Sequence, residues 1–164
     1  MAPFVRALAS PLGWLALFAR DDGALVHIDL LGDAAPPTAP DAGRLDAAAR
    51  QLAQYFAGER RRFDLVLAPT GTPFQLAAWE ALRAIPFGET RSYREQARNI
   101  GRPTATRAIG AANARNPLPI VVPCHRVIGA NGRLVGFAGG LDRKQWLLDH
   151  EARVRGGLRQ MVVV

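Results

Sequence analysis

The sequence predicts an α+β protein of two lobes: a small N-terminal α/β lobe with an antiparallel sheet, and a mainly helical C-terminal lobe with a helix-turn-helix. Three observations lead to this fold class. Short apolar and aromatic runs separated by turn sequences occupy the first 31 residues, as in a β-meander. After residue 73, apolar residues recur at helical spacing instead. A segment with two prolines and a glycine, Ala68–Pro73, separates the two patterns. We therefore place the lobes at residues 1–70 and 71–155, followed by a tail at 156–164.

The N-terminal lobe begins with apolar segments between turn sequences, which predicts a meander of short strands. A helix follows, in which Leu45, Leu52 and Phe56 recur at helical spacing and which Gly58 ends. One more apolar run predicts a further strand. The predicted elements are strands within Phe4–Leu31 (among them Trp14–Phe18 and Leu25–Leu30), a Pro- and Ala-rich loop at 32–43, a helix at 44–57 and a strand at Phe63–Leu67.

The C-terminal lobe contains the outline of a helix-turn-helix. Ser92 is predicted to cap a helix over Tyr93–Asn99, and a second helix over Thr104–Ala114 follows a tight break at Gly101–Pro103. The second helix has a face of mostly small residues, which suits a close approach to a nucleic-acid groove and equally suits tight packing between helices. Two further helices are predicted, at Phe74–Ala84 and Asp142–Glu151.

The cations are unevenly distributed along the chain. The net charge is +7, and all but one of the cations are arginine. Residues 1–73 carry seven arginines against eight carboxylates, a net charge of −1, whereas residues 74–164 carry fourteen cations against six carboxylates, a net charge of +8. A basic half favours contact with a polyanion, and arginine suits bidentate phosphate contacts. A genome rich in G and C, which favours arginine codons, explains the same composition without any partner.

The cysteine and histidine content limits the metal sites that the chain can build. A lone cysteine cannot form an internal disulfide and excludes cysteine-rich zinc sites. His27, His125 and His150 lack the spacing of metal ligands, so no metal is expected. No apolar run reaches the ~18 residues of a membrane helix, and the N-terminus lacks the basic and apolar segments of a signal peptide. We therefore expect a cytoplasmic protein that does not associate with a membrane.

Cys124 lies in an unusual setting, between Pro123 and His125. Cysteine reacts as the thiolate, and a neighbouring His or Arg lowers the pKa of the thiol, so His125 and Arg126 favour a nucleophile. A free cysteine more often packs as a small apolar side chain, and from this peptide alone that alternative stays open. Glu151, at the end of the last predicted helix, can orient an imidazole as in a catalytic triad, or can be a solvated residue at a helix end.

The segment Asn116–Gly129 resembles the active-site segment of the methylated-DNA–protein-cysteine methyltransferases, the 6-O-alkylguanine-DNA alkyltransferases. Its Pro-Cys-His-Arg-Val motif is the signature of that family. The resemblance covers nearly the whole chain and is closest to the bacterial, constitutive type. It is also carried by Gly71–Gln75, Ile85–Thr90, the helix-turn-helix, Gly139–Leu141, Trp146–Glu151 and, less strongly, the turns Ser10–Gly13 and Asp21–Gly23.

The resemblance implies DNA repair by irreversible transfer of the alkyl group of 6-O-alkylguanine to Cys124, with 4-O-alkylthymine as a second candidate substrate. Each molecule acts once, because a thioether has no leaving route, and no cofactor is expected, because the substrate supplies its own electrophilic carbon. His125 would take the thiol proton through a water, and Glu151 would orient His125. Tyr93 would help to rotate the nucleotide and donate a proton or hydrogen bond to the guanine. Arg107 would fill the stack that the flipped base leaves.

The resemblance further implies the partner and the residues that surround the reaction. The partner is double-stranded DNA with an alkylated guanine, bound through its minor groove by a protein that is a monomer in solution. Asn116 would tie the end of the second helix to the active-site segment, and Arg126 would be mainly structural. The implied DNA contacts are Ser92, Arg94, Thr104, Arg107, Ala108 and Ala111, and the implied pocket residues are Tyr93, Asn113, Val127, Phe137, Ala138 and Gly139.

Four positions depart from the family pattern. Ala138 stands where some relatives carry Ser, and the contact implied there comes from a backbone N–H, which Ala also has. Phe137 stands where many relatives carry Tyr, so the pocket wall stays aromatic. Asn113 is more polar than the larger apolar residue of some relatives, so tolerance for bulky adducts is open. Gln96 occupies a usually apolar helix position, and the sequence offers no reason for it.

Two other classes of function remain as alternatives. A helix-turn-helix transcription regulator would bind undamaged sites sequence-specifically, usually as a dimer, and Cys124 would then be incidental. A cysteine hydrolase would use Cys124 and His125 to turn over ester or peptide substrates repeatedly. The mass of the intact protein after incubation with methylated DNA separates all three.

Overall fold

The structure, a computed structural model, describes residues 4–37, 39–137 and 139–157. The chain divides into two compact units, Met1–Thr70 and Gly71–Val164. The first unit contains an antiparallel sheet and one helix, and the second is mainly helical, so the predicted α+β class is confirmed. Within the described residues, no helix combines the length and the apolar character that crossing a membrane requires.

The first unit is a three-stranded meander with a helix. Its strands are β1 (Phe4–Ser10), β2 (Gly13–Ala19) and β3 (Leu25–Gly32), paired antiparallel in the order β1-β2-β3. Helix α1 (Asp46–Phe56) buries the apolar positions that predicted it, and Gly58, just beyond its end, has a φ of +78°. Such a left-handed glycine is a common helix terminator.

The predicted strand at Phe63–Leu67 is wrong. Only Leu67 forms a β-bridge, a parallel one with Leu25 of β3. The backbone of Asp64 is bound instead by the side chain of Gln51 on α1, whose Nε2 donates to the carbonyl of Asp64 at 3.0 Å and whose Oε1 accepts from its N–H at 2.8 Å. Pairing with β3 is confined to the end of this stretch, where the N–H of Leu25 donates to the carbonyl of Val66 and the N–H of Ala68 donates to the carbonyl of Leu25, both at 2.9 Å.

The second unit starts with two helices that have complete capping boxes. Thr72 caps α2 (Pro73–Arg83) together with Gln75, and Ser92 caps α3 (Tyr93–Asn99) together with Glu95. Each capping side chain accepts from a backbone N–H, and the residue three positions on accepts from the N–H of the cap. The remaining elements are β4 (Arg91–Ser92), α4 (Thr106–Ala114), a short 3-10 helix (Cys124–Arg126), β5 (Val127–Ile128) and α5 (Leu141–Arg155).

The helix-turn-helix differs from the prediction in its turn. Helix α4 begins at Thr106 rather than Thr104, because Pro103 and Thr104 belong to a separate turn that the N–H of Ala105 closes on the carbonyl of Arg102 at 2.9 Å. The break between the helices is therefore longer than predicted. Helices α2, α3 and α4 pack around the buried apolar residues Ala78, Ala97, Ile109 and Ala112, three of which are alanines.

Two features near the end of the second unit were not predicted. Helix α5 continues to Arg155, four residues beyond the predicted end at Glu151. Strands β4 and β5 pair in parallel, Arg91 with Val127 and Ser92 with Ile128. Pairs this short have no periodicity in the sequence, so the pattern that reveals longer strands is absent from them. This pairing joins the start of α3 to the residues that follow Cys124.

Candidate active site

The segment that leads to Cys124 is held by Asn116. The Nδ2 of Asn116 donates to the carbonyl of Val122 at 2.7 Å, and its Oδ1 accepts from the N–H of Leu118 at 3.0 Å. Both ends of one buried amide thus bind the segment that follows α4. Ile120 within it has a φ of +77°, a conformation that β-branched residues rarely adopt, and its side chain is fully buried. These contacts fix the path of the chain from α4 to Cys124.

Cys124 begins the 3-10 helix and is only 7% exposed. Burial raises the pKa of its thiol, while a hydrogen bond from Asn116 and the positive charge of Lys144 act in the opposite direction. The net pKa lies above the ordinary value of a cysteine. At neutral pH the sulfur therefore carries its proton and needs a base before it can act as a nucleophile.

His125 and Glu151 form a buried pair beside Cys124. Nε2 of His125 lies 2.6 Å from Oε2 of Glu151, and both side chains are almost completely buried. Arg126 binds the same carboxylate at both oxygens, with Nε 2.8 Å from Oε1 and Nη2 3.0 Å from Oε2. Its Nη1 donates to the carbonyl of Ile85 at 2.8 Å. One carboxylate on α5 thus holds both residues that follow the cysteine.

The charges of this cluster set its protonation. Burial acts to raise the pKa of Glu151, but His125 and Arg126 together outweigh it, so that pKa lies far below its ordinary value. Burial lowers the pKa of His125, against the attraction of Glu151. Because Arg126 already neutralises the carboxylate, we take the imidazole to be neutral. A carboxylate can only accept, so Nε2 of His125 donates to Glu151.

The remaining ring nitrogen of His125 is then a proton acceptor. Among the described residues, Nδ1 of His125 has no hydrogen-bond partner, although it is buried. In a neutral imidazole whose Nε2 carries the hydrogen, Nδ1 holds a lone pair. The site therefore contains a protonated thiol followed in sequence by a neutral, oriented base.

Glu151 is positioned by a glycine from another part of the unit. The N–H of Gly88 donates to Oε1 of Glu151 at 3.0 Å, and the carbonyl of Gly88 accepts from Arg155 at 3.0 Å. Gly88 has a φ of +80°, and a Cβ on it would lie 2.6 Å from the side chain of Arg155. The positive φ favours glycine at this position, and any side chain there would also displace that of Arg155.

Tyr93 lies at the start of α3, and its hydroxyl donates to the carbonyl of Val135 at 2.8 Å. Burial raises the pKa of Tyr93, and a thiolate at Cys124 raises it further. The hydroxyl therefore keeps its proton at neutral pH and acts as a hydrogen-bond donor near the sulfur. Gly110 of α4 faces the ring, since a Cβ there would lie 4.0 Å from it.

Lys144 on α5 is a site residue that the sequence reasoning missed. It is fully buried, and its Nζ donates to the carbonyls of Val127 at 2.6 Å and Val135 at 2.9 Å. Val135 thus accepts from both Lys144 and Tyr93. Lys144 is also close enough to lower the pKa of the Cys124 thiol. One signal was available: it is the only lysine in a chain with twenty arginines.

The expected pocket residues lie in different settings. Val127 is fully buried and Cys124 precedes it by three residues, whereas Phe137 and Gly139 are half-buried in the loop before α5. Ala138 lies outside the described residues. Asn113 is buried, and its amide is hydrogen-bonded to Gln96 of α3. Membership of the pocket stays a prediction for all of them.

The expected DNA contacts lie mostly on exposed positions. On and before α4, exposed side chains belong to Thr104, Arg107, Ala108 and Ala111. Arg94 of α3 is exposed as well, while the hydroxyl of Ser92 is engaged as the helix cap. The small residues of α4 serve two purposes, since Ala112 packs in the interior and Ala108 and Ala111 face outward. Their contact with DNA stays a prediction.

Potential metal ligands do not converge in the described part of the chain, where no group of three or more His, Cys, Asp or Glu side chains could hold an ion.

Comparisons with known proteins agree over both units. The family of 6-O-methylguanine DNA methyltransferase DNA-binding domains matches residues 73–153, and that of the ribonuclease-like domain of the same enzymes matches residues 5–69. A methylated-DNA–protein-cysteine methyltransferase of Methanosarcina acetivorans is 50% identical over 147 residues, which cover 87% of this chain and 94% of the relative. One of Mycobacterium tuberculosis H37Rv is 48% identical over 150 residues, which cover 89% and 90%.

A solved structure shares the fold at the same level. The crystal structure of Mycobacterium tuberculosis OGT in complex with DNA superimposes with a TM-score of 0.82 and 44% identity, covering 92% of this chain and 94% of that one. The resemblance that the segment around Cys124 indicated is thereby confirmed, and neither the regulator nor the hydrolase is favoured. The chain belongs to the 6-O-methylguanine DNA methyltransferase family.

Proposed function

We propose that the protein repairs DNA by moving the alkyl group of 6-O-alkylguanine onto the sulfur of its own Cys124, once per molecule. The observation that carries this proposal is that Cys124 is followed directly by His125 and Arg126, both of which bind one buried carboxylate, Glu151, in a chain of this family. The relatives named above are methylated-DNA–protein-cysteine methyltransferases, a name that describes the same class of reaction as the one proposed here.

The chemistry follows from the protonation of the site. The thiol proton of Cys124 passes to Nδ1 of His125, through a water, and Glu151 stabilises the imidazolium that forms. The sulfur then attacks the alkyl carbon, an S–C bond forms as the C–O bond breaks, and the electron pair of that bond stays on the guanine. The Tyr93 hydroxyl, which keeps its proton, turns from the carbonyl of Val135 and donates its hydrogen bond to the guanine as this charge develops. The guanine anion takes up a proton from solvent and the imidazolium returns one to solvent, so the products are guanine and a thioether, which has no leaving route.

DNA is the partner, and we propose that α4 meets it in the minor groove. The exposed small residues Ala108 and Ala111 permit a close approach to a narrow groove, and Arg107 stands beside them as the long cation that fills the vacated stack. A relative of similar fold has been crystallised with DNA. Action as a monomer and a cytoplasmic location stay predictions.

The test is the mass of the intact protein after incubation with duplex DNA that contains 6-O-methylguanine. We expect a gain of one methyl group per molecule, located on Cys124 by peptide mapping, and no gain for Cys124→Ala. Repeated turnover on excess substrate, or a label on another residue, would contradict the proposal. Binding to one undamaged sequence without any mass change would favour a regulator, and ester hydrolysis would favour a hydrolase.

A further inference from the structure

Two buried amides face each other between the helices of the helix-turn-helix. Gln96 of α3 is 1% exposed and Asn113 of α4 is 4% exposed. Nε2 of Gln96 donates to Oδ1 of Asn113 at 2.9 Å, and Nδ2 of Asn113 donates back to Oε1 of Gln96 at 2.8 Å. A reciprocal pair of this kind satisfies the donor of one amide with the acceptor of the other, in both directions.

The pair extends to a third helix. Nε2 of Gln96 also donates to the carbonyl of Ala78 on α2 at 3.2 Å. Nearby, the indole Nε1 of Trp79 on α2 donates to the carbonyl of Ala112 on α4 at 2.8 Å. Directional bonds thus join α2, α3 and α4 within a few residues of one another.

The fully buried apolar side chains at this point are mostly small. They are Ala78, Ala97, Ile109 and Ala112, three of which are alanines, and the larger Phe74, Tyr93 and Ile100 pack against them while only partly buried. Small faces permit helices to shift against one another more readily than large side chains that interlock. Fully satisfied buried polar groups add specificity, because any shift leaves one of them unpaired.

Each amide of the pair lies on the same helix as one of the two residues proposed to act on the flipped nucleotide. Gln96 follows Tyr93 by three residues, one turn of α3, and Asn113 follows Arg107 by six residues on α4. Asn113 also precedes Asn116, which holds the segment that leads to Cys124. A change in the angle or register of α4 against α3 would therefore alter the position of Arg107 relative to Tyr93 and the sulfur.

We propose that Gln96 is a positioning residue, which through its amide pair with Asn113 holds α4 against α3 so that Arg107 and Tyr93 act on the same flipped nucleotide. The inference rests on the proposed repair function and deepens it. It also gives a reason for an amide at position 96, which the sequence alone did not. A purely structural role would stabilise the fold and affect repair only through stability.

A double-mutant cycle separates the two roles. The variants are Gln96→Met, Asn113→Leu and the double variant, all close in shape to the original side chains. Each single variant leaves one buried amide without its partner, which destabilises the fold, whereas the double variant removes both amides and regains stability. Gln51→Met is the matched control, because Gln51 is a buried glutamine of the first unit that also makes two hydrogen bonds.

The readouts are the unfolding midpoint and the ratio of two single-turnover rates, on duplex DNA and on free 6-O-methylguanine base. We expect the double variant to regain the midpoint while its duplex-to-free-base ratio falls about tenfold, since only the duplex requires flipping. The ratio of Gln51→Met should equal that of the wild type. If a single variant does not fold, the ratio of the two rates in the double variant alone decides whether Gln96 has a positioning role.

Three outcomes are distinguishable. A double variant with the wild-type ratio, or with equal slowing on both substrates, overturns the positioning role and leaves the repair function intact. A wild-type protein that takes no alkyl group from either substrate overturns the proposed function and this inference with it. A low ratio in a stable double variant supports both.

Discussion

At Cys124, burial and nearby polar groups act on the thiol in opposite directions. Burial raises its pKa, and Asn116 and Lys144 lower it. The fully buried Lys144 makes its two hydrogen bonds to the carbonyls of Val127 and Val135, residues of the chain that follows the cysteine. A cation held this firmly supplies its charge without reorganisation when the thiolate forms. Reactivity at one sulfur therefore depends on a residue twenty positions away in the sequence.

Replacing Lys144 tests this dependence. In Lys144→Met the pKa of the Cys124 thiol should rise further, because a group that favours the thiolate is lost, and the pH profile of alkylation should move to higher pH. If about 1.4 kcal/mol of thiolate stabilisation is lost, transfer at neutral pH slows about tenfold. Iodoacetamide labelling against pH measures the shift directly, since the chain has one cysteine. Lys144→Arg keeps the charge and should shift the pH profile of alkylation less. An unchanged pH profile in Lys144→Met would refute the role of Lys144 in stabilising the thiolate.

At the scale of elements, the sequence predicts what local chemistry determines. Helix α3 could be predicted to its first residue because Ser92 caps it, and α1 because its buried positions recur at helical spacing. The start of α4 could not, because no side chain caps it and a separate turn takes up Pro103 and Thr104. The strand expected at Phe63–Leu67 is reduced to one bridge at Leu67, and the side chain of Gln51 binds the backbone of Asp64 instead. Each failure involves a long-range contact or a missing local signal.

The same distinction holds for the candidate site. The motif around Cys124 identified His125, Arg126 and the family, and the resemblance then assigned Glu151 to His125. Residue patterns alone reveal neither the contact of Arg126 with the same carboxylate nor the pairing of Gln96 with Asn113, because these contacts join residues 17 to 25 positions apart. Such pairs become visible only once the helices are packed.

Helix α4 carries a prediction that separates base flipping from chemistry. In Arg107→Ala the residue that fills the vacated stack is lost while Cys124, His125 and Glu151 remain. Unstacking costs a few kcal/mol, so repair of duplex DNA should slow by about 10- to 100-fold, whereas transfer from the free base stays near normal. Single-turnover rates on both substrates measure this.

Two further variants control the experiment on Arg107. Arg115→Ala removes the same charge from an exposed position at the other end of α4 and should change the duplex rate little. His125→Ala should slow both substrates, because His125 acts on the thiol itself. Equal slowing of both substrates by Arg107→Ala would make Arg107 a structural residue instead.

For the whole molecule, the two units differ strongly in charge. The boundary between the units lies between Thr70 and Gly71. Residues 71–73 carry no charge, so the net charges counted for residues 1–73 and 74–164 are also those of the two units. The first unit has a net charge of −1 and the second of +8, and the second also contains Cys124 and the helix-turn-helix. Attraction to phosphates is largely independent of sequence, which suits a protein that must search undamaged DNA for rare lesions.

Binding to undamaged duplex DNA should therefore weaken steeply with salt. The logarithm of the association constant should fall linearly with the logarithm of the salt concentration, with a slope of about −0.9 for each phosphate neutralised. Arg94→Gln, on an exposed position of α3, should reduce the magnitude of that slope by about one. Arg20→Gln is the matched control, because Arg20 is an exposed arginine of the first unit, paired with Asp22, and its loss should leave the slope unchanged. Titration by fluorescence anisotropy at several salt concentrations, with two unrelated duplex sequences, measures both effects. If the affinity did not change with salt concentration, or depended strongly on which undamaged sequence is used, attraction of the second unit to phosphates would not be the main source of binding to undamaged DNA.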